Sequence, residues 1–169
     1  MHKRERSCDG IALDSSARTR RALETANLDA ICVLLDSQAR RLERVCPGRL
    51  ANVNGSVIHT GDSRSGESPW DDERVFVFLD ALPTTVHSLV FGVVSANGRP
   101  FCDVPGASCH LSDYMTEDEL LSVELTGLGQ IKEYCVATLE RSALGWMMRE
   151  GAPRQTSVTE LLSAGANVL

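Results

Sequence analysis

The 169-residue sequence lacks the features of several protein classes. No apolar stretch reaches the roughly 18 residues of a membrane-spanning helix, and the longest apolar run lies around Leu89–Val94. The basic start of the chain, residues 1–6, is not followed by the apolar stretch of a secretory signal. We therefore expect no membrane association and no export. Six cysteines in such a chain predict reduced thiols in a cytoplasm.

Positive charge is also scarce. Lys and Arg number 17 against 23 Asp and Glu, which gives a formal net charge of -6, and the only lysines are Lys3 and Lys132. Binding to nucleic acid needs clustered Lys and Arg to contact phosphates, so we expect no nucleic-acid partner.

The sequence also has no motif that marks an enzyme. No glycine-rich phosphate loop follows a strand, and no nucleophile elbow is present. Cys102, Cys109 and His110 do not have the spacing of a tight zinc site, and buried free thiols are the better interpretation. Four histidines and six cysteines leave a Cys–His nucleophile open. We nevertheless predict a protein that is not an enzyme.

The chain does contain many short apolar runs separated by turn residues. This pattern predicts an all-β fold, a two-sheet β-sandwich with short helical segments. The predicted strands are 28–35, 57–59, 75–79, 88–94, 109–114, 122–126 and 131–139, with a further one at 146–148. Ser157 and Glu160 form a capping box that predicts a C-terminal helix, and Thr116 and Glu119 have the same spacing. We interpret residues 1–26 as a weakly ordered N-terminal arm and 27–169 as a single domain.

One loop concentrates negative charge. Between positions 62 and 73, five carboxylates accompany a single cation, Arg64. Ca²⁺ takes six to eight oxygen ligands, and such a loop can supply carboxylates and backbone carbonyls. It is not an EF-hand, because Arg64 and Glu67 occupy the third position and the glycine position. A solvated acidic loop is an equally open interpretation. Asp29, at the start of an apolar strand, needs an Arg, backbone N–H groups or a metal as its partner if buried.

These segments together resemble the TerD family, the tellurium-resistance and stress-response proteins of bacteria. The resemblance spans about residues 27–140 and is most specific over 54–94. It rests on Leu28-Asp29-Ala30, Asn54-Gly55-Ser56-Val57-Ile58-His59-Thr60-Gly61-Asp62, Asp71-Asp72-Glu73 and Val75-Phe76-Val77-Phe78-Leu79-Asp80-Ala81-Leu82-Pro83.

The resemblance implies a non-enzymatic, calcium-binding β-sandwich that meets an unidentified protein partner. It implies Ca²⁺ ligands at Asp29, Asp62, Glu67, Asp71, Asp72 and Glu73, with the carbonyls of Gly61 and Gly66 as further candidates.

The sequence also departs from the family pattern. Asn27 replaces the first aspartate of Asp-Leu-Asp, and Ser68-Pro69-Trp70 replaces one acid and two glycines. These departures favour one calcium over two. They keep open an alternative, a structural or interaction domain whose ion site has degenerated. A metal-dependent hydrolase is a third, weaker interpretation. Residues 1–26 show no clear match to the family's first strands. If those strands are absent, a sheet edge or apolar patch is expected to be exposed, and a homodimer is then a hypothesis.

Overall fold

The protein is described by a computed structural model that covers residues 10–16, 27–61, 73–153 and 158–162. Within these ranges the chain forms ten β-strands and one short α-helix. The strands are β1 (Gly10–Ser16), β2 (Leu28–Leu35), β3 (Arg41–Val45), β4 (Val57–His59), β5 (Glu73–Phe78), β6 (Ser88–Ser95), β7 (Ser108–Asp113), β8 (Glu119–Glu124), β9 (Glu133–Ser142) and β10 (Gly145–Glu150), and the helix is α1 (Val158–Leu162).

The strands form two five-stranded antiparallel sheets. The first sheet has the order β4-β5-β1-β7-β8, and the second has the order β10-β9-β6-β2-β3. Their facing sides enclose one large apolar core, to which Leu13, Leu34, Val75, Phe91 and Leu139 belong. The all-β sandwich predicted from the sequence is therefore confirmed.

The bounds of β2 match the prediction because both faces of this strand are buried. Ala30, Cys32 and Leu34 face the main core. Ile31 and Leu35, with the other alternate residues, face a second apolar cluster on the outer side of the sheet. A strand buried on both sides has a continuous apolar sequence rather than an alternating one.

The C-terminal helix covers that outer side. Leu161 and Leu162 of α1 belong to the second cluster, and Leu162 is 1% exposed. Gly92 on β6 makes room for it, since a Cβ atom at Gly92 would lie 2.5 Å from the Leu162 methyl carbons. The predicted C-terminal helix is present, although its expected cap, Ser157, lies outside the described residues.

The pattern at Thr116–Glu119 does not form a helix. Asp113 accepts backbone hydrogen bonds from Met115 and Thr116 through Oδ1, at 2.8 and 3.2 Å. This closes a turn, and Glu119 begins β8. The capping pattern alone was therefore not sufficient to specify a helix.

The interpretation of residues 1–26 as an arm is wrong for residues 10–16. Gly10–Ser16 forms β1, the middle strand of the first sheet, paired with β5 on one side and β7 on the other. Ile11 and Leu13 are buried in the core. Without β1 the first sheet would be split in two, so the domain begins before residue 27. The hypothesis of a dimer depended on a sheet edge left exposed by missing N-terminal strands. Because β1 is present, its absence cannot create such an edge.

Candidate functional site

The acidic loop joins β4 to β5, and its two ends are held together by two hydrogen bonds between Thr60 and Arg74. The Thr60 N–H donates to the Arg74 carbonyl at 2.9 Å, and the Arg74 N–H donates to Thr60 Oγ1 at 2.9 Å. His59 and Glu73 lie at these ends, and both face the interior. The structure thus brings the loop's ends to one corner of the sandwich. Five predicted ligands lie outside the described residues: Asp62, Gly66, Glu67, Asp71 and Asp72.

At this corner, side chains of the first sheet bind the backbone of the second. Glu73 Oε2 accepts a hydrogen bond from the Ala30 N–H at 2.9 Å, and His59 Nε2 lies 3.1 Å from the Ala30 carbonyl oxygen. Since β3 pairs only with the part of β2 that begins at Cys32, β2 has an open edge at Ala30. His59 and Glu73 provide partners for the Ala30 carbonyl and N–H at that edge. We call these contacts the inter-sheet clamp.

The inter-sheet clamp also determines the tautomer of His59. The Gly61 N–H donates to Nδ1 at 2.8 Å, so Nδ1 is an acceptor and the neutral ring carries its proton on Nε2. Nε2 lies 3.2 Å from Glu73 Oε2 as well as near the Ala30 carbonyl. Both ring nitrogens are therefore engaged, and the side chain is fully buried.

One oxygen of Glu73 has no hydrogen-bond partner among the described residues. The residue is 1% exposed; Oε2 is bound, but Oε1 is buried and accepts no hydrogen bond from the part of the chain that the structure describes. Leaving a buried polar atom unpaired costs about 1–3 kcal/mol, and more for a charged group. A cation at Oε1 would remove that penalty. This atom fits the donor chemistry of a hard divalent cation.

Asp29 lies next to the inter-sheet clamp but on the other face of β2. The N–H group bound by Glu73 belongs to the peptide that joins Asp29 to Ala30. Strand alternation directs the Asp29 side chain away from Ala30, which faces the core. Within the described part of the chain, no three or more His, Cys, Asp or Glu residues are grouped so as to hold a metal. Asp29 and Glu73 therefore do not form a complete site without the loop.

Sequence reasoning missed a charged cluster on the outer face of the first sheet. Asp14 of β1 is 1% exposed, Arg74 Nε donates to its Oδ1, and His110 Nε2 lies 3.0 Å from its Oδ2. The three residues are direct neighbours across β5, β1 and β7. The available signal was Asp14 itself, a single carboxylate directly after the apolar run 10–13.

The cysteines are consistent with core packing. Among the described residues Cys32, Cys46, Cys102, Cys109 and Cys135 are free. Burial raises the pKa of Cys109 and of Cys135 to about 12, and it raises the pKa of Cys32 as well. Cys109 faces the core while His110 faces outward to Asp14. Because they lie on opposite faces of β7, these two residues do not make the zinc site considered from the sequence.

Comparison with known proteins identifies the class. A two-sheet sandwich of this kind is shared with a crystal structure described as a homologue of the telluride resistance protein TerD from Streptomyces coelicolor A3(2). That match has a TM-score of 0.76 and 21% sequence identity, and it covers 92% of this chain and 95% of that one. The TerD domain family model matches residues 3–162. The chain belongs to the TerD family.

Curated relatives agree with this assignment. The chain is 36% identical over 123 residues to the tellurium resistance protein TerZ of Serratia marcescens, which covers 73% of this chain and 63% of that protein. It is 29% identical over 106 residues to general stress protein 16U of Bacillus subtilis, which covers 59% of this chain and 55% of that protein. The chain thus spans about six-tenths of the length of these relatives. In the described ranges no helix is long and apolar enough to cross a membrane.

Proposed function

We propose that this chain is a non-enzymatic, calcium-binding module of tellurium resistance or the general stress response. In this proposal the acidic loop 60–73 binds one Ca²⁺ and orders a surface that meets a protein partner. The observation that carries the proposal is Glu73 Oε1, a buried carboxylate oxygen at the end of an acid-rich loop, for which the described residues supply no hydrogen-bond partner. The names of the relatives, TerZ and general stress protein 16U, support the biological setting.

The candidate ligands are the six acids Asp29, Asp62, Glu67, Asp71, Asp72 and Glu73, with the Gly61 and Gly66 carbonyls. Their number and hardness favour Ca²⁺, which accepts six to eight oxygens, over Mg²⁺, which keeps several waters. A bound divalent ion would supply the positive charge that lets these acids lie close together. Trp70 and Pro69 reduce the ligand density of the loop, which is why we propose one ion.

The role of the inter-sheet clamp in this proposal is to position the site. Glu73 Oε2 and His59 Nε2 bind the N–H and the carbonyl of Ala30 at the open edge of β2, so the backbone beside Asp29 is fixed before any ion arrives. The paired backbone of Thr60 and Arg74 fixes the base of the loop. Ion binding then has to order only the loop, which lowers its entropic cost.

The same geometry supports the absence of catalysis. His59 is the histidine closest in sequence to the acidic loop, and both of its ring nitrogens are used by Gly61 on one side and by Ala30 and Glu73 on the other. A general base needs a free nitrogen that reaches substrate. His59 instead has the surroundings of a structural residue.

The alternative is a domain with a decayed ion site that acts only through protein contacts. It is favoured by the departure at Ser68-Pro69-Trp70 and by the fact that the inter-sheet clamp is complete without an ion on Oε2. Under this alternative Glu73 serves only to accept the hydrogen bond from the Ala30 N–H, and it does not bind a metal.

Calorimetric titration of metal-stripped protein with Ca²⁺ tests the proposal. We expect saturable heat near micromolar Ca²⁺, the range of sensor sites, and its loss in Asp71→Asn/Asp72→Asn. The matched control is Asp103→Asn/Glu124→Gln, which removes two exposed acids far from the loop in sequence. Mg²⁺ added as a competitor should displace little of the bound Ca²⁺. No heat, together with an unchanged melting temperature in millimolar Ca²⁺, would leave the decayed-site alternative.

A further inference from the structure

An aromatic cluster lies on the outer face of the first sheet. The chain has four Phe, two Trp and two Tyr, and three of these rings meet here. The Tyr114 ring stands edge-on to Phe76 and Phe78, with 5.5 Å between ring centroids in each pair. Ile58 is the cross-strand neighbour of Phe76, and Met115 follows Tyr114. We call these five residues the aromatic platform.

The aromatic platform is partly exposed to solvent. Ile58 and Tyr114 are each 40% exposed, and Met115 is 66% exposed. Phe76 and Phe78 are half-buried, whereas their neighbours in β5, Val75 and Val77, are in the core. Exposed apolar side chains around a ring cluster of this kind are typical of interaction sites.

Small residues of β1 make room for the platform. Gly10 lies between β5 and the end of β7, and the Tyr114 N–H donates to its carbonyl at 3.0 Å. A Cβ atom at Gly10 would lie 3.2 Å from the Tyr114 Cβ and 2.7 Å from the Val77 carbonyl oxygen. Gly10 is therefore what allows Tyr114 to lie across β1 against the Phe rings.

The border of the platform is strongly acidic. Asp113, Glu117, Asp118 and Glu119 fall within the turn 113–119, and no Lys or Arg occurs between positions 100 and 131. The last three acids are exposed. Exposed aromatic rings and carboxylates both attract cations, the rings through their negative faces. The Arg74 guanidinium already lies 5.5 Å from the Phe76 centroid.

We propose that the aromatic platform docks a basic polypeptide segment of a partner protein. The segment would place an apolar side chain against Tyr114 and Arg or Lys side chains among the acids of the 113–119 turn. Charge complementarity favours this occupant over the folded surface of a second copy, because the chain carries a net charge of -6 overall, even though residues 1–6 are themselves basic. The proposal deepens the proposed function by giving the chemistry of the partner, and it rests on that function for the existence of one.

Arg74 connects the platform to the acidic loop. Its backbone pairs with Thr60 at the base of the loop, its Nε donates to Asp14, and its guanidinium lies over Phe76. Arg74 therefore gives a direct structural link through which ordering of the acidic loop can affect the aromatic platform. This relation predicts stronger docking when the loop is ordered.

Binding of a defined peptide to the full chain tests the proposal. The probe is an acetylated nonapeptide with a central Phe and two Arg on each side, titrated by calorimetry at two salt concentrations. Control peptides carry Ala for the Phe, or Glu for each Arg. We expect saturable binding of the probe, weakened at least about fivefold by either peptide change, because aromatic and Arg anchors dominate such interfaces.

Variants of the protein locate the binding. We expect Tyr114→Ala to weaken binding at least about fivefold and Tyr114→Phe to retain it. Glu117→Gln/Asp118→Asn should weaken it about threefold and reduce its salt dependence, while the matched pair Asp103→Asn/Glu124→Gln should change it less than about twofold. If Tyr114→Ala does not fold, Met115→Ser, which alters an exposed side chain, replaces it and should weaken binding.

Three results would overturn the proposal. The first is absence of probe binding at millimolar peptide, and the second is equal weakening by the two acid-pair variants, which would mean attraction to net charge alone. The third is a dimer in light scattering that Tyr114→Ala dissolves, since a second copy would then occupy the platform. Repeating the titration with and without Ca²⁺ separates the two proposals. Equal binding in both conditions contradicts ion-ordered docking, whereas Ca²⁺ heat without probe binding contradicts only the platform.

Discussion

Asp14 of β1 and His110 of β7 lie directly opposite each other on the outer face of the first sheet, with 3.0 Å between Oδ2 and Nε2. Arg74 approaches the same carboxylate from β5. A carboxylate 1% exposed therefore lies between the Arg74 guanidinium and the His110 imidazole, each of which is about one-third exposed. Such a row joins three neighbouring strands through their side chains, in addition to their backbone hydrogen bonds.

Replacing Asp14 should destabilise the protein. We expect Asp14→Ala to lower the free energy of unfolding by about 1.5–3 kcal/mol, the range for hydrogen bonds to charged groups, since the change removes the carboxylate that accepts from Arg74. Urea denaturation of the variant and of His110→Gln measures the effect. In His110→Gln the Asp14 carboxylate keeps its hydrogen bond from Arg74, so this variant should cost less. A loss below about 0.5 kcal/mol for Asp14→Ala, the usual range for surface sites, would contradict this account.

Glu73→Gln should separate the two roles of that residue. The glutamine oxygen can still accept from the Ala30 N–H, so ion-free stability should change by less than about 1 kcal/mol. Glu73→Ala removes the acceptor and should cost about 2 kcal/mol or more, because the Ala30 N–H loses its partner. The Ca²⁺-dependent rise in melting temperature should fall in both variants. A full rise in Glu73→Gln would show that Oε1 is not a ligand.

Gly92 and Leu162 should be energetically coupled. A Cβ at Gly92 meets the far end of a flexible side chain, so Gly92→Ala should cost about 1 kcal/mol and Leu162→Ala about 2–3 kcal/mol. In the double variant the added methyl has space, and the combined cost should be at least about 0.5 kcal/mol less than the sum. A double-mutant cycle by urea denaturation measures this coupling. Strict additivity would mean that α1 does not pack as described.

Stability should fall in alkaline solution because of the buried thiols. Burial raises the pKa of Cys109 and Cys135 from the ordinary 9.0 to about 12. Above pH 9 the unfolded chain therefore loses protons that the folded protein keeps. Stability present below pH 9 should decline up to about pH 12, by up to about 1.4 kcal/mol per pH unit for each such thiol. Urea denaturation at pH 8, 9 and 10 tests this.

A matched variant isolates the contribution of one thiol. In Cys109→Val the free energy of unfolding should decline less steeply with pH, by about the contribution of one thiol, because valine cannot ionise. Cys102 is half-buried rather than fully buried, so Cys102→Ser should alter the slope less. Identical slopes in Cys109→Val and the parent chain would assign the alkaline loss to other groups.

The fold could be predicted where burial and sequence pattern agree. β2 has no polar residue after Asp29, because both of its faces are covered, and its bounds were predicted correctly. β3 was missed, since its sequence Arg-Leu-Glu-Arg-Val is mostly charged and half-exposed at the sheet edge. The sequence predicts at most a short strand at residues 10–13 within a weakly ordered arm. The full strand β1 could not be predicted because its neighbours in sequence are polar and its partners β5 and β7 are distant in the chain.

Strand β9 shows why alternation can mislead. Its sequence gave no clear buried face, and the predicted strand 131–139 in fact runs from Glu133 to Ser142. A bulge shifts the register of β9 against β6, between the pairs formed by Phe91 and Gly92. The extra residue, Val136, lies in the main core together with Ala137, whereas Cys135 lies in the outer cluster. A bulge changes which residues face inward partway along the strand, and no local sequence signal marks it.

The candidate site was predictable only in part. Glu73 and His59 were picked out by the family pattern, and they do meet at one corner of the sandwich. Their link to Ala30 was not predictable, because it depends on where β3 ends relative to β2. Of the predicted ligands, the structure describes Asp29, Gly61 and Glu73. Binding of Ca²⁺ by these and by the other predicted ligands remains a prediction.

The pairing of Thr60 with Arg74 has a consequence for how such domains diverge. Because the hydrogen bonds at the base of the loop close the β4–β5 connection, residues between these positions can be exchanged, added or lost at small cost to the sandwich, as loop-closure entropy grows only slowly with length. Selection can therefore strengthen, weaken or erase ion affinity in one lineage while the scaffold is inherited unchanged. A substitution such as Pro69 in this loop is a change that the scaffold can tolerate.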